Sequence, residues 1–176
     1  MEGKNLKLII SDNCPGLKAA LNFAYPYTPL QLCVVHKLRN ILSKIKKKTK
    51  HRKKLIKQAS EIFKAKDREE AIIRTNKFLK QWQNKEPQTC KCLKKDLGDY
   101  LRYYEFPAKI RDKLKSTNAL ERILREIRRI TRRVGYFQNQ RSLELFIFGY
   151  LKEAKLIAWE GGNIERKEVI NFAKNY

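Results

Sequence analysis

The chain has 176 residues, 42% of them hydrophobic, which is enough material for one core of ordinary size. It carries 41 Lys and Arg against 18 Asp and Glu, a formal charge of +23. So large an excess repels itself unless a polyanion neutralises it, which points to nucleic acid as partner. No apolar stretch reaches the length a membrane-spanning helix needs, and residues 1–16 lack the charged-then-apolar layout of a signal peptide, so no membrane partner is expected. Cys14, Cys33, Cys90 and Cys92, in a chain without an export signal, are expected to stay thiols. The expected location is the cytoplasm, at the nucleoid.

In chain order, residues 6–10 form a short apolar run, too brief for a helix and β-branched enough for a buried strand. It stops at Ser11 and Asp12. Pro15 and Gly16 mark a turn or a first helical position, and Leu17, Ala20, Leu21 and Ala24 then recur at helical spacing until Pro26. A second run, residues 30–35, is apolar on both faces, as a strand inside a covered sheet would be, and ends at His36. If that strand ran regularly to His36, Cys33 and His36 would point to opposite faces. They can meet only if it ends and turns near Val34.

Residues 37–60 carry Lys37, Arg39, Lys44, Lys46, Lys47, Lys48, Lys50, Arg52, Lys53, Lys54 and Lys57 and no acid. Leu38, Ile41, Leu42 and Ile45 keep a helical stripe inside the run, which predicts an amphipathic helix with a basic outer face. Taken alone such a run is a solvated surface; the charge of the whole chain tips it toward nucleic-acid binding. Leu55, Ala59, Ile62 and Phe63, then Ala71, Ile72, Phe78, Leu79 and Trp82, read as core stripes of further helices, with a break at Pro87. Tyr100, Tyr103, Tyr104 and Phe106 follow; packing is the favoured reading over stacking on bases.

Asn118 reads as an N-cap, with Leu120, Ile123, Leu124, Ile127 and Ile130 as the apolar stripe of the helix behind it. Glu121, Arg125, Arg128 and Arg132 fall in one row beside that stripe. On this segment alone Glu121 is structural, closing a capping box with Asn118 or pairing with Arg125.

Three separated strings resemble Mutator-type insertion-sequence transposases. They are Ser11-Asp12-Asn13-Cys14-Pro15-Gly16-Leu17-Lys18-Ala19-Ala20, then Gln31-Leu32-Cys33-Val34-Val35-His36-Lys37-Leu38-Arg39-Asn40, then Ser116-Thr117-Asn118-Ala119-Leu120-Glu121-Arg122 with Glu126-Ile127-Arg128-Arg129 and Arg132-Arg133-Val134-Gly135. Phe63, Ala65, Asp67, Trp82 and Phe106-Pro107 resemble weaker landmarks of that family's helical insertion. The resemblance implies an α/β, mostly helical chain: part of a ribonuclease-H-like fold, its last two strands plus helices, with an all-helical insertion before the final catalytic helix. The implied divisions are 1–45 for the strand-helix-strand-helix core, 46–107 for the basic insertion, 108–160 for the catalytic helix and its successor, and 161–176 for a tail.

By the same resemblance Asp12 is the second aspartate and Glu121 the glutamate of a site that binds Mg²⁺ or Mn²⁺ for DNA cleavage and strand transfer. The chemistry fits the residue types, since hard divalent ions take carboxylate oxygens and a metal pair can serve both attacking and leaving oxygens. Cys33 and His36 fall on the family's Cys-x-x-His signature and, with Asn118, are expected in the active-site region without an assigned role. A structural zinc site needs four ligands, and Cys90 and Cys92 are poor candidates to complete one. Lys37, Arg39, Lys46, Lys47, Lys48, Arg122, Arg125, Arg128, Arg129, Arg132 and Arg133 are the expected DNA contacts.

The family's first aspartate stands well upstream of the second, whereas 11 residues precede Asp12 here. Asn13-Cys14 after the aspartate, Leu32 where an arginine is common and Gln138 where a proline is common are further departures. The expectation is a truncated copy or fragment, inactive alone, whose partners are the element's ends, target DNA and either a full-length transposase or a second copy of itself. The competing readings are a non-catalytic nucleic-acid-binding remnant and a small basic RNA-binding protein.

Overall fold

The computed structural model describes residues 6–46 and 50–159, with side chains described as far as Leu151. The chain is α/β and mostly helical. Two short parallel strands, β1 (Ile9–Ser11) and β2 (Leu30–Leu32), are joined through α1 (Pro15–Ala24). They pair in the register Ile9 to Leu30, Ile10 to Gln31 and Ser11 to Leu32. The ladder is extended at both ends, where Ile9 N–H donates to Pro29 C=O at 3.0 Å and Cys33 N–H to Ser11 C=O at 2.9 Å. Pro15 opens α1 because its fixed φ suits the first helical turn, where its missing N–H costs nothing.

The second strand is shorter than its apolar run predicts. It ends at Leu32, and α2 (Val34–Lys44) starts two residues on, with Cys33 as N-cap in extended conformation. The β-branched Val34 and Val35 are drawn into a first helical turn by non-local pairing. Val34 N–H, one of the donors a helix start leaves without an intrahelical partner, is taken by Lys115 C=O at 2.8 Å. Gln31, inside β2, is fully buried and makes good its burial with three bonds. Its amide donates to Leu32 C=O at 2.7 Å and Tyr100 C=O at 3.1 Å and accepts from Tyr103 N–H at 2.8 Å.

The predicted single basic helix over 37–60 is two helices. The stripe ends at Ile45, the C-cap of α2 in extended conformation, and among the described residues the next buried position is Leu55 in α3 (Arg52–Ile62). A helix continued through the intervening lysines would bury nothing, so packing has no reason to hold it. Helix α4 (Arg68–Trp82) is capped by Asp67, whose carboxylate accepts Glu70 N–H at 2.8 Å, while Glu70 accepts Lys66 N–H at 2.8 Å in return. Its buried residues Ala71, Thr75, Phe78, Leu79 and Trp82 follow the helical period. Trp82 Nε1–H donates to Gln58 Oε1 at 2.7 Å, tying α4 to α3.

Helices α5 (Pro87–Lys94) and α6 (Leu97–Tyr100) and a 3-10 turn (Arg102–Glu105) complete this layer. Tyr100, Tyr103 and Tyr104 are buried, so the aromatic cluster packs. The hydroxyls of Tyr103 and Tyr104 donate to Phe63 C=O at 3.0 Å and Ala65 C=O at 2.8 Å. Arg111, on α7 (Ala108–Leu114), spreads its guanidinium over the carbonyls of Phe106, Tyr104 and Lys66, at 2.7, 3.1 and 3.0 Å.

The described residues divide into two compact units, one ending at Thr117 and one beginning at Asn118. In the second, α8 (Asn118–Val134) ends where Gly135 adopts φ of 73°, a left-handed conformation that glycine reaches without strain. Helix α9 (Gln140–Trp159) follows, its start capped by Asn139 Oδ1 accepting Ser142 N–H at 2.8 Å. Phe137 and Phe146 meet at 5.4 Å between ring centroids. Asn118, predicted to precede the helix as its cap, is its first residue. No helix among the described residues is long and apolar enough to cross a membrane.

Candidate functional site

Asp12 directly follows β1 and Cys33 directly follows β2. Because the strands are parallel and Ser11 faces Leu32, both residues emerge side by side at the carboxyl end of the sheet, where open α/β sheets place their ligands. The early end of β2 then brings in a third side chain. His36 lies in the first turn of α2, and its Nδ1 is 3.1 Å from Asp12 Oδ1. The ligand atoms of Asp12, Cys33 and His36 lie within 4.8 Å of one another, the one such grouping of His, Cys, Asp and Glu among the described residues. Cys90 and Cys92, on α5, do not join it.

Thr117 closes the group from far along the chain. It is buried, with its hydroxyl 3.4 Å from Asp12 Oδ1 and 3.5 Å from Cys33 Sγ, and its N–H 3.5 Å from the same sulfur. Burial pushes the Cys33 thiol up, but the backbone N–H of His36 and the two Thr117 donors outweigh it. The thiol therefore ionises below its ordinary range. Asp12 is half-exposed, so ions in solution reach it, and Arg39 lies 3.5 Å from His36 Nε2. Within the trio the carboxylate is the donor suited to a hard cation, whereas sulfur and imidazole suit softer ones.

The expected DNA contacts separate into groups. Arg39 and Lys46 are exposed, as are Arg122, Arg125, Arg128, Arg129, Arg132 and Arg133 on α8. Lys47 and Lys48 lie outside the described residues. Lys37 corrects the expectation, for it is 2% exposed and turned inward. Its ammonium donates to Lys95 C=O and sits 4.3 Å from the Tyr100 ring centroid. Burial lowers its pKa to about 8. Lys44, Lys46, Lys50, Lys53, Lys54 and Lys57 of the run are exposed, whereas Lys37 seals α2 against α5 and α6. Glu121, half-buried on α8, and Asn118, exposed on the same helix, belong to the second unit. In the sequence Thr117 stands only inside a longer string and Arg111 carries no signal at all; the Thr117 partners Asp12 and Cys33 lie far away in sequence, as does Lys66, the remotest partner of Arg111.

The sequence model of the family described as "Transposase, Mutator family" matches residues 3–158. The transposase for insertion sequence element IS406 of Burkholderia multivorans is 35% identical over 150 residues, which are 85% of this chain and 38% of that protein. The transposase for IST2 of Acidithiobacillus ferrooxidans is 34% identical over 84% of this chain and 49% of its own length. The transposase for IS905 of Lactococcus lactis is 29% identical over 82% of this chain and 36% of its own. The chain thus spans between about a third and a half of the length of these curated relatives.

Proposed function

From a chain that belongs to the Mutator family of transposases, we propose the following reading: it provides two carboxylates, Asp12 and Glu121, of a metal-dependent site that cleaves DNA ends and joins them to a target. The strand-helix-strand unit with an acid at the carboxyl end of β1 supports a ribonuclease-H-like core. The observation that carries the reading is the setting of Asp12. A lone exposed carboxylate needs no imidazole and no buried threonine around it, yet this one has His36 Nδ1 at 3.1 Å and the Thr117 hydroxyl at 3.4 Å. Thr117 in turn precedes Glu121 by only four residues of chain.

Carboxylate oxygens fit Mg²⁺ or Mn²⁺, so Asp12 and Glu121 would hold such an ion, which when bound supplies charge for the attacking and leaving phosphodiester oxygens. The chain's own residues do the positioning. His36 and Thr117 restrict the rotation of the Asp12 carboxylate, and Cys33, held by Thr117, fixes the start of α2 that carries His36. The exposed arginines of α8, with Arg39 and Lys46, bind the DNA backbone without regard to sequence.

The test joins this chain to the preceding portion of an intact relative and follows cleavage of duplex carrying that relative's terminal repeats, with Mg²⁺ or Mn²⁺. Asp12→Asn and Glu121→Gln are each expected to abolish cleavage while leaving DNA binding in place. Cleavage that survives either substitution overturns the assignment.

A further inference from the structure

Asp12, Cys33 and His36 present oxygen, sulfur and nitrogen to one point, and two of the three are donors a hard ion does not seek. We propose that they form a binding site for a thiophilic divalent cation of the Zn²⁺ class, with Asp12 Oδ1, Cys33 Sγ and His36 Nδ1 as ligands and water in the remaining position. Several features of the fold carry this. Neighbouring ligand atoms of a tetrahedral zinc site stand about 3.5 Å apart. Asp12 Oδ1 and His36 Nδ1 are already at 3.1 Å, and the whole trio lies within 4.8 Å, so side-chain torsions bring the ligands to bonding positions without moving β1, β2 or α2. The paired strands β1 and β2 and the helix α2 fix the donors, as Cys33 caps the very helix whose first turn bears His36.

The surroundings are those of an ion-binding thiolate. Thr117 aims both its N–H and its hydroxyl at Cys33 Sγ, at 3.5 Å each, which is how outer groups support a metal-bound sulfur. Half-exposed Asp12 leaves an entry path and room for water. The protons balance simply. Binding releases the Cys33 thiol proton to solvent, and the imidazole proton that bridges Nδ1 and Asp12 passes to Nε2. The exposed Arg39, now 3.5 Å from Nε2, swings away. An ion held there engages the carboxylate that the cleavage reading gives to Mg²⁺, a consequence that rests on that reading; the site itself does not.

The experiment is titration of the whole chain, freed of metal, with Co²⁺ under reducing conditions. One equivalent should give the near-ultraviolet sulfur-to-cobalt band together with the visible bands of four-coordinate cobalt, both erased by one equivalent of Zn²⁺. Cys33→Ser should remove the sulfur band, and Asp12→Asn and His36→Ala should each weaken binding at least about tenfold. Joint replacement of Cys14, Cys90 and Cys92 by Ser should leave the spectrum unchanged. Circular dichroism checks that each variant is folded; Thr117→Val, which keeps the shape of the side chain, should weaken binding by roughly tenfold, because the hydroxyl it removes contacts both Cys33 Sγ and Asp12 Oδ1. A six-coordinate spectrum without a sulfur band, or a band that survives Cys33→Ser, overturns the proposal. Because no DNA is involved, failure here leaves the cleavage reading standing, and failure of cleavage leaves this site standing.

Discussion

The two units of this protein solve opposite problems. The unit ending at Thr117 buries tyrosines, a glutamine and even a lysine, and holds Gln31, Lys37, Tyr103 and Tyr104 by bonds between segments far apart in sequence. In α8 and α9 no described side chain is buried, and six arginines of α8 face solvent. The comparison teaches where stability and charge reside: the first unit is held by a cooperative interior, the second displays guanidinium groups on a thin helical scaffold.

The sharpest way to break that contrast is truncation on each side. Tyr103→Ala removes a fully buried ring and leaves Phe63 C=O without its donor, so it should cost about 4 kcal/mol in urea unfolding. Ile127→Ala on α8 should cost about 1 kcal/mol or less, because its side chain is only partly covered. Similar losses at both positions would erase the distinction. Arg111→Ala should rank between them, at about 2 kcal/mol, because three carbonyls lose one guanidinium.

Lysine and arginine sharpen the comparison further. Lys37→Met should leave DNA affinity unchanged and raise stability by about 1 kcal/mol, since it removes a desolvated ammonium and keeps the packing. Arg128→Ala with Arg132→Ala should do the reverse. Stability stays within about 0.5 kcal/mol, while the log-log dependence of DNA affinity on salt becomes shallower by about 2. Fluorescence anisotropy across a salt series reads both.

The smallest expected effect is a pH dependence. Burial works to raise the Asp96 pKa, but the amide of Asn13 and the ammonium of Lys18 overcome it, so the folded value is lowered. A lowered carboxylate stabilises the fold fully above its ordinary pKa, about 4, and loses that contribution as pH falls through the folded value. The melting temperature should therefore decline more steeply below about pH 4 in the parent chain than in Asp96→Asn. Parallel curves would show that Asp96 adds nothing.

What could be read beforehand follows the range of the interactions. The helix of Leu120, Ile123, Ile127 and Ile130 was legible because its apolar period is local, and α1 because Pro15 and Pro26 bracket it. The end of β2 was not. Val34 and Val35 look like strand until Lys115 C=O, remote in sequence, takes the Val34 N–H. That same turn brings Cys33 and His36 together with Asp12, a meeting the sequence allowed only on the condition that the strand stop. Lys37 was misread because a lysine in a basic run looks solvated, and only the three-dimensional position of Tyr100 and Lys95 C=O reveals otherwise. Asp12 and Glu121 came from resemblance; no spacing rule links residues so far apart.

The central proposal is that Asp12 and Glu121 serve the same ion. Mn²⁺ binding by the whole chain, followed by electron paramagnetic resonance, tests it most directly. Asp12→Asn and Glu121→Gln should each weaken the bound signal, and the double variant should lose less than the sum of the two, because one ion connects them. Strictly additive losses, or a signal indifferent to either substitution, would contradict the account.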